Sequence, residues 1–425
     1  MTIMILTFFL AMIIGVPIAF VLGLVGLVGL LQHGPDFLLA VPQRLFVSAN
    51  NYNLMAIPMF IIAGELLGLS GDVGRLMNFC RALIGRFKGG IAYVSIVVGL
   101  MLGGLLGMAN AVAALLGSTI HPEMIKDKYE PEFSACFIAS VSVVGPLIPP
   151  GLLFVIYGAS SGTSIAELFM AGIVPGFLVA FALAVVIYIL SFGREWKTTS
   201  WGGWRNVWNT LRPALFSVAA PFLTFVAVSS GIATPTESAS VVVVLVAFVG
   251  IVIYKKITLK NLIPMLVRAS VISGAILIIS SMAGVMGWAL AFDQIPQRAA
   301  NAMISISDNP LVVLFIIQVF LLIMGMFMDA APAVLILVPV FMPLIQLYGY
   351  NPVHFGLLMC FNLTVGVLTP PVGTCLYTTA MATGVPVDKM IRNIWPWLGV
   401  LVLVLCICTY FPQLVLFIPN LIVGR

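Results

Sequence analysis

Long apolar segments, separated by short polar loops, follow one another from the first residues to the last. A helix needs about 20 mainly apolar residues to cross the hydrocarbon core of a bilayer, and runs of this length recur along the whole chain. The pattern therefore predicts an all-α polytopic membrane protein. We predict spans at residues 3–31, 53–70, 133–158, 168–192, 213–232, 236–254, 268–292, 354–380 and 395–420.

Two further apolar stretches, residues 93–121 and 310–345, differ from these spans because their centres are small or polar. The first runs through Gly103 and Gly104 to Asn110, and the second runs from Gly325 to Pro332. Non-helical backbone at membrane depth is tolerated only where protein or a water-filled cavity surrounds it. We predict that each stretch is a re-entrant helical hairpin, which enters and leaves on one side.

An internal repeat joins each hairpin to a span interrupted by prolines. Residues 145–150 read Gly-Pro-Leu-Ile-Pro-Pro, and residues 366–371, which lie 221 positions later, read Gly-Val-Leu-Thr-Pro-Pro. Paired prolines break a helix because they remove donors and clash with the preceding turn. The match extends without a gap to Gly104 and Gly325, Ala109 and Ala330, Leu116 and Leu337, Pro122 and Pro343, Tyr129 and Tyr350, Pro131 and Pro352, Val144 and Val365, and Ala159 and Ala380.

Two halves with the same broken helix are typical of a secondary transporter. Five predicted spans separate the start of one hairpin from the start of the other, an odd number, so the two structural repeats are predicted to be inverted. The repeats divide the chain into scaffold helices at 1–92, transport repeat 1 at 93–165, scaffold helices with an interfacial arm at 166–309, transport repeat 2 at 310–385 and a C-terminal scaffold helix at 386–425.

Positive charge predicts the orientation. With a cytoplasmic N-terminus, only Arg44, Arg298 and Arg425 lie outside, and the other sixteen of the 19 Lys and Arg residues lie inside. The C-terminus is then periplasmic, the first hairpin opens to the cytoplasm and the second opens to the periplasm. Because the cations lie in short loops between spans, the net charge of +5 does not indicate nucleic-acid binding. Trp201, Trp204 and Trp208 suggest either an amphipathic interfacial helix or an ordinary aromatic belt.

The broken helices are the first candidate site. Carbonyl oxygens freed by the prolines, together with half-helix ends, suit a sodium ion at the membrane midplane; a packing kink is the simpler alternative. Asp329 is the one acid in the second hairpin. It is a candidate for ligating a cation or for capping a half-helix. We expect Glu237 to cap a helix after Thr234 and Pro235, and Glu167 to act similarly. The three histidines share no metal-ligand spacing.

The chain contains no zinc-protease, serine-hydrolase or phosphate-loop motif, so we predict a protein that is not an enzyme and does not hydrolyse ATP. A membrane-embedded enzyme would need a convergent acid, base or metal cluster, whereas the intramembrane acids are few and scattered. A passive channel fits inverted, broken hairpins less well than alternating access does.

Several motifs together resemble the large membrane subunit, the DctM-like M subunit, of the tripartite ATP-independent periplasmic (TRAP) transporters. The resemblance covers essentially the whole chain. It rests on residues 63–65 (Ala-Gly-Glu), 168–176 (Leu-Phe-Met-Ala-Gly-Ile-Val-Pro-Gly), 234–237 (Thr-Pro-Thr-Glu), 325–329 (Gly-Met-Phe-Met-Asp), 335–339 (Leu-Ile-Leu-Val-Pro) with Met342 and Pro343, and 369–373 (Thr-Pro-Pro-Val-Gly).

This resemblance implies an elevator-type importer of the ion-transporter superfamily in the bacterial inner membrane. It implies sodium as the coupling ion and a carboxylate solute such as sialic acid, a dicarboxylate or a sugar acid. It also implies a separate small membrane subunit of four helices (Q), a soluble periplasmic substrate-binding protein (P) and surrounding membrane lipids. A stand-alone sodium–carboxylate transporter of the same superfamily is the alternative.

The sodium sites implied by the resemblance lie between each hairpin tip and the facing helix break. One site involves Gly107, Asn110, Gly145 and Pro149; the other involves Gly325, Asp329, Gly366 and Thr369. The first tip departs from the family pattern, because Met108 stands where a hydroxyl residue is usual. We therefore expect Asn110, Ser118 or backbone carbonyls to replace that hydroxyl.

Overall fold

The computed structural model describes residues 2–198, 200–295, 297–298, 307 and 309–423, so Arg425 lies outside it. The first half consists of helices α1 Thr2–Ile13, α2 Ile18–Leu31, α3 Ala40–Ala49, α4 Ala56–Ser70, α5 Asp72–Ile84, α6 Gly90–Leu106, α7 Ala109–Thr119, α8 His121–Lys126, α9 Pro131–Ser142, α10 Val144–Leu147, α11 Leu152–Ser161 and α12 Ile165–Ser191. The second half consists of α13 Gly203–Ser229, α14 Pro235–Phe248, α15 Leu259–Phe292, α16 Pro310–Phe327, α17 Ala330–Leu347, α18 Pro352–Gly366, α19 Thr374–Thr383, α20 Val387–Asn393, α21 Trp395–Tyr410 and α22 Pro412–Val423.

The described part of the chain is helical, without strands, and it is a multi-pass membrane protein. Seven of its helices are long and apolar enough to cross a membrane, and two bent pairs raise that number to nine. Short 3-10 turns, Pro35–Leu39 and Tyr52–Met55, and a π-helical turn, Val249–Ile253, complete the elements. The predicted all-α polytopic fold is confirmed.

Each repeat contains a helical hairpin followed by a broken helix, as the sequence predicts. Hairpin 1 comprises α6 and α7 with tip 1 at residues 107–108, and hairpin 2 comprises α16 and α17 with tip 2 at residues 328–329. Break 1, residues 148–151, separates α10 from α11, and the helix axis bends by 44° there. Break 2, residues 367–373, separates α18 from α19. Both Pro–Pro bonds are cis.

The repeats pack reciprocally. The first arm of each hairpin packs against the first half of its own broken helix, α6 on α10 and α16 on α18. The second arm crosses to the other repeat: α7 packs on α19, and α17 packs on α11. The Tyr157 hydroxyl also donates to the Pro352 carbonyl at 3.1 Å, which ties α11 to the start of α18. This exchange is the arrangement expected of two inverted repeats.

The first apolar stretch is not one span, contrary to the prediction for residues 3–31. Gly15 has φ +86° and Pro17 follows it, so the chain turns between α1 and α2. The Met4 side chain reaches Gly29, which shows that α1 folds back along α2. Helices of 12 and 14 residues are about 18 and 21 Å long, shorter than a bilayer core of about 30 Å.

Two other boundaries also differ from the prediction. Helix α13 runs without interruption over 27 residues and includes Trp204 and Trp208, whereas Trp201 precedes it, so the three indoles do not share a separate interfacial helix. The last predicted span is interrupted at Phe411, before Pro412 begins α22. Pro412 sets the second boundary, because proline is accepted at the start of a helix but not in its interior, whereas α13 continues through Pro213 and Pro221.

The remaining helices surround the two repeats. Helix α15 packs against α2, α3 and α4, while α13 packs on α5 and α14 on α4. Helix α12 lies against α6, α10 and α18, and α21 and α22 also contact the broken helices. The packing thus places α12, α21 and α22 beside the repeats, and the division into moving and fixed domains stays a prediction.

Candidate functional site

In repeat 1, hairpin 1 lies directly against the broken helix. A Cβ atom on Gly103 would lie 2.1 Å from Gly145 Cα, so the two backbones touch. A Cβ atom on Gly104 would lie 2.6 Å from the Pro149 carbonyl oxygen and 2.8 Å from the Ile148 carbonyl oxygen. Glycine is required where backbones approach so closely. The carbonyl oxygens of break 1 are therefore held against the first arm of the hairpin.

Tip 1 turns at Gly107, which ends α6 in the left-handed conformation with φ +65°. Its N–H donates to the Gly103 carbonyl at 2.7 Å, and a Cβ atom there would lie 2.5 Å from Leu152 Cβ. The tip is therefore seated on the first residue of α11. Gly107, Gly145 and Pro149, three of the residues predicted for the first site, lie together along one side of break 1.

In repeat 2, hairpin 2 makes the same backbone contact with its broken helix. A Cβ atom on Gly325 would lie 2.8 Å from Gly366 Cα and 2.9 Å from the Leu363 carbonyl oxygen. The Gly373 N–H donates to the Met326 carbonyl at 3.2 Å, so break 2 is hydrogen-bonded to the hairpin arm. Thr369 is buried, and its hydroxyl donates back to the Val365 carbonyl at 2.9 Å. The Thr369 oxygen keeps its lone pairs for another partner.

The start of α7, directly after tip 1, lies against tip 2. The sequence predicts two separate sites and not this contact. Asn110 Nδ2 lies 3.4 Å from Asp329 Oδ1 and 3.4 Å from Thr374 Oγ1. Asn110 Oδ1 is buried and has no hydrogen-bond partner within the described residues. Asn110, Asp329 and Thr374, which we call the tip junction, therefore combine an amide, a carboxylate and a hydroxyl from both repeats. The structure places Asn110 with tip 2 rather than with break 1, because α7 crosses to the other repeat.

Asp329 also begins a helix, as one of the two predicted alternatives requires. Its carboxylate accepts a hydrogen bond from the Ala330 N–H at 3.0 Å, at the start of α17. The Asp329 residue is exposed, although it lies close to many protein atoms. A carboxylate at a helix N-terminus is stabilised by the helix dipole. Helix capping and contact with a cation are therefore compatible roles for Asp329.

The sequence analysis missed Thr374, the third member of the tip junction. Thr374 begins α19, directly after the left-handed Gly373 of break 2. The sequence feature that indicates Thr374 is a hydroxyl in the first turn of a half-helix. The equivalent residue in the other repeat is Leu153, so a comparison of the two repeats does not reveal this position.

A second polar pair lies deeper in repeat 2. Asn362 Nδ2 donates to the Gln318 backbone carbonyl at 2.7 Å and also contacts Gln318 Oε1. Both residues are buried, while Asn362 Oδ1 and Gln318 Nε2 have no partner within the described residues. The counterparts 221 positions earlier are Val97 and Val141, so only repeat 2 carries this amide pair.

The other ionisable candidates have structural partners. Glu237 forms the predicted capping box with Thr234: its carboxylate accepts from the Thr234 N–H at 2.7 Å. Glu65 pairs with Arg268 at 3.1 Å. His121 Nδ1 lies 2.9 Å from Ser134 Oγ, and His354 Nε2 lies 2.9 Å from the Cys408 carbonyl oxygen. Among the described residues, no group of three or more His, Cys, Asp or Glu side chains is arranged to hold a metal ion.

The chemistry available around the tips is therefore that of neutral oxygen atoms with a single carboxylate. Backbone carbonyls, an amide oxygen and hydroxyls are hard donors, which suit a weakly held hard cation better than a transition metal. The Asn110 amide nitrogen and the Thr374 hydroxyl can also donate hydrogen bonds to an anionic solute.

Comparison with known proteins agrees with this arrangement. The family model described as "Tripartite ATP-independent periplasmic transporter, DctM component" matches residues 5–414. The sialic acid TRAP transporter large permease protein SiaM of Vibrio cholerae is 34% identical over 410 residues, which cover 96% of each chain. The C4-dicarboxylate TRAP transporter large permease protein DctM of Pseudomonas aeruginosa is 34% identical over 399 residues, covering 94% of this chain and 93% of that one.

A solved structure supports the fold. The YdaH transporter of Alcanivorax borkumensis superposes with a TM-score of 0.61 over 89% of each chain, at 13% sequence identity. The helical repeats, the whole-length family match and the relatives at this level of identity lead to one conclusion: the chain belongs to the DctM family of TRAP transporter components, the large permease proteins.

Proposed function

We propose that this permease imports a small carboxylate-bearing solute together with sodium ions, by an elevator movement of the two repeats. The observation that carries the proposal is the tip junction, where Asn110, Asp329 and Thr374 gather at the meeting point of two hairpins and two broken helices. The function of a transport site is to bind a solute at such a junction and to release it on the other side.

Sodium is proposed as a transported coupling ion, on the chemistry of the oxygen atoms. The Ile148 and Pro149 carbonyls lie against hairpin 1, and the Leu363 carbonyl lies against Gly325. Asn110 Oδ1 is buried and has no partner in the part of the chain that the structure describes. Each is a hard, neutral donor of the kind that sodium requires, and Asp329 adds one negative charge nearby. An alkali cation bound to both repeats would draw the tips and breaks together.

The solute class rests on the relatives. Those named above are described as permeases for sialic acid and for C4-dicarboxylates, and another, from Oleidesulfovibrio alaskensis, is described as an isethionate permease. All three solutes are small organic anions. The hydrogen-bond donors of Asn110 and Thr374 at the tip junction suit such an anion.

The partners follow from the tripartite family. We propose a small membrane subunit that braces α13, α14 and α15, whose outward faces carry exposed apolar side chains such as Phe222, Val244 and Val271. A periplasmic binding protein delivers the solute to the side of the permease that is opposite the cationic loops. The isethionate relative is described as DctMQ, and this chain covers 65% of its length. The remaining length of that relative accords with a smaller subunit fused to its large one.

The cationic loops that include Arg86 and Lys88 are proposed to be cytoplasmic, and the C-terminus periplasmic. Helix α1 folds back along α2. Since neither helix is long enough to cross, we propose that the N-terminus lies on the same side of the membrane as Arg44, which is outside if the cationic loops are cytoplasmic.

Reconstitution tests the proposal. Proteoliposomes that contain this permease and the small subunit should accumulate a labelled carboxylate from a loaded binding protein only with an inward sodium gradient. Omission of either partner should abolish accumulation. Equal accumulation with potassium would reject sodium coupling, and full accumulation by the permease alone would instead support a stand-alone sodium–carboxylate transporter.

A further inference from the structure

A charged crevice lies away from the tip junction, where α9, α12 and the α20–α21 elbow converge. Its volume is about 480 Å³. Three cationic side chains, Arg194, Lys389 and Arg392, line it together with the acids Glu130 and Glu132. The transport proposal uses none of these groups, so the crevice needs a separate explanation.

The cations in the crevice are incompletely neutralised. Lys389 pairs with Glu132 at 3.0 Å, but Arg194 Nη1 lies 3.7 Å from its nearest carboxylate oxygen, on Glu130. Arg194 Nη1 is buried and has no hydrogen-bond partner within the described residues. Arg392 is exposed and forms no ion pair with any residue that the structure describes. Two guanidinium groups therefore remain able to bind an anion.

Apolar side chains also line the crevice. Val186 and Leu190 of α12 and the aromatic rings of Phe133 and Trp397 line it. The Arg194 guanidinium lies 4.5 Å from the centre of the Phe133 ring, so one face of that cation is already shielded from water. A soluble anion would use the guanidinium groups and leave these apolar side chains uncovered, whereas a phospholipid would cover both with its headgroup and an acyl chain.

We propose that the crevice binds an anionic phospholipid, with its phosphodiester at Arg194 and Arg392 and one acyl chain along α12. Basic pockets between membrane helices bind such headgroups. Guanidinium groups match phosphate because they donate two parallel hydrogen bonds. The lipid would join the start of α9, in repeat 1, to α20, which follows repeat 2.

Native mass spectrometry of the full-length permease tests the proposal. Phosphatidylglycerol should be retained in preference to phosphatidylethanolamine. Arg392→Gln should reduce its retention about fivefold, as expected for one basic group at an anionic headgroup. Arg392→Lys should keep most of the binding because the charge remains. Arg205→Gln, which removes an exposed cation from α13, is the matched control and should change nothing.

Three results would overturn the proposal. Equal loss of phosphatidylglycerol in Arg392→Gln and Arg205→Gln would show general attraction to a basic surface. Displacement of the lipid by millimolar inorganic phosphate would show a site for soluble anions. Retention of phosphatidylglycerol in a folded double variant, Arg194→Gln with Arg392→Gln, would place the lipid elsewhere.

Discussion

Asn110 at one hairpin tip donates a hydrogen bond to Asp329 at the other, with 3.4 Å between Nδ2 and Oδ1. The internal repeat pairs Asp329 with Met108, not with Asn110, so this contact joins positions that the repeat does not equate. The two repeats therefore contribute different chemistry to one junction. A movement of one tip therefore alters the hydrogen bond that links it to the other tip.

We expect Asn110→Ala and Asp329→Asn to be energetically coupled. Each variant should reduce uptake several-fold, and the double variant should lose less than the sum of the two effects, because residues in one hydrogen-bonded network couple by about 0.5–3 kcal/mol. The measurement is the initial uptake rate at matched expression, compared in a double-mutant cycle. Asn206→Ala, on the exposed surface of α13, is the control. Fully additive losses would show that the tips act independently.

The amide pair of Gln318 and Asn362 should stabilise the contact between α16 and α18. Gln318 lies two turns before Gly325 on α16, and Asn362 lies one turn before Gly366 on α18, so the pair fixes the register that brings these glycines together. Asn362→Val should destabilise the protein by about 1–3 kcal/mol, because it leaves a buried amide without its partner.

The double replacement by valine, which repeat 1 carries at the equivalent positions, should restore part of that stability. Thermal unfolding of the purified permease measures both variants. If the double variant is as unstable as the sum of its single variants, the pair does not act as a unit.

The contact between Gly103 and Gly145 should not tolerate even one methyl group. A Cβ atom on Gly103 would meet backbone at 2.1 Å, which no side-chain rotation can relieve. Gly103→Ala should therefore abolish uptake or folding. Gly399→Ala on α21 is the control, since a Cβ atom there meets nothing within 4 Å, and alanine is favoured over glycine in a helix by about 1 kcal/mol. Normal uptake by Gly103→Ala would mean that hairpin 1 does not lie on break 1 during transport.

Orientation can be measured with single cysteines in a cysteine-free background, which requires replacing Cys80, Cys136, Cys360, Cys375, Cys406 and Cys408. Cysteines at Thr2 and Gln32 should label from the same side, because α1 folds back on α2. A cysteine at Lys88 should label from the other side. Labelling of Thr2 from the Lys88 side would restore the single crossing predicted for residues 3–31.

These differences show where sequence reasoning succeeds and where it fails. Prolines and glycines act locally, so the breaks at Pro149 and Pro370 and the turn at Gly107 could be predicted from sequence. The hydrophobic effect has no direction, so hydropathy predicts one continuous span where the chain turns back at Gly15. The contact between Asn110 and Asp329, 219 positions apart, depends on how α7 and α19 pack, which no local pattern encodes.

We propose that the broken helices and hairpin tips bind the coupling sodium ion. The sodium concentration for half-maximal uptake tests it most directly, measured for the wild type, Thr369→Val and Asp329→Asn at matched expression. We predict that both variants need more sodium, because each loses an oxygen donor or a negative charge near the second break. Met108→Ser should need the same concentration or less, since it adds a hydroxyl at the first tip. Wild-type sodium dependence in both Thr369→Val and Asp329→Asn would contradict this account.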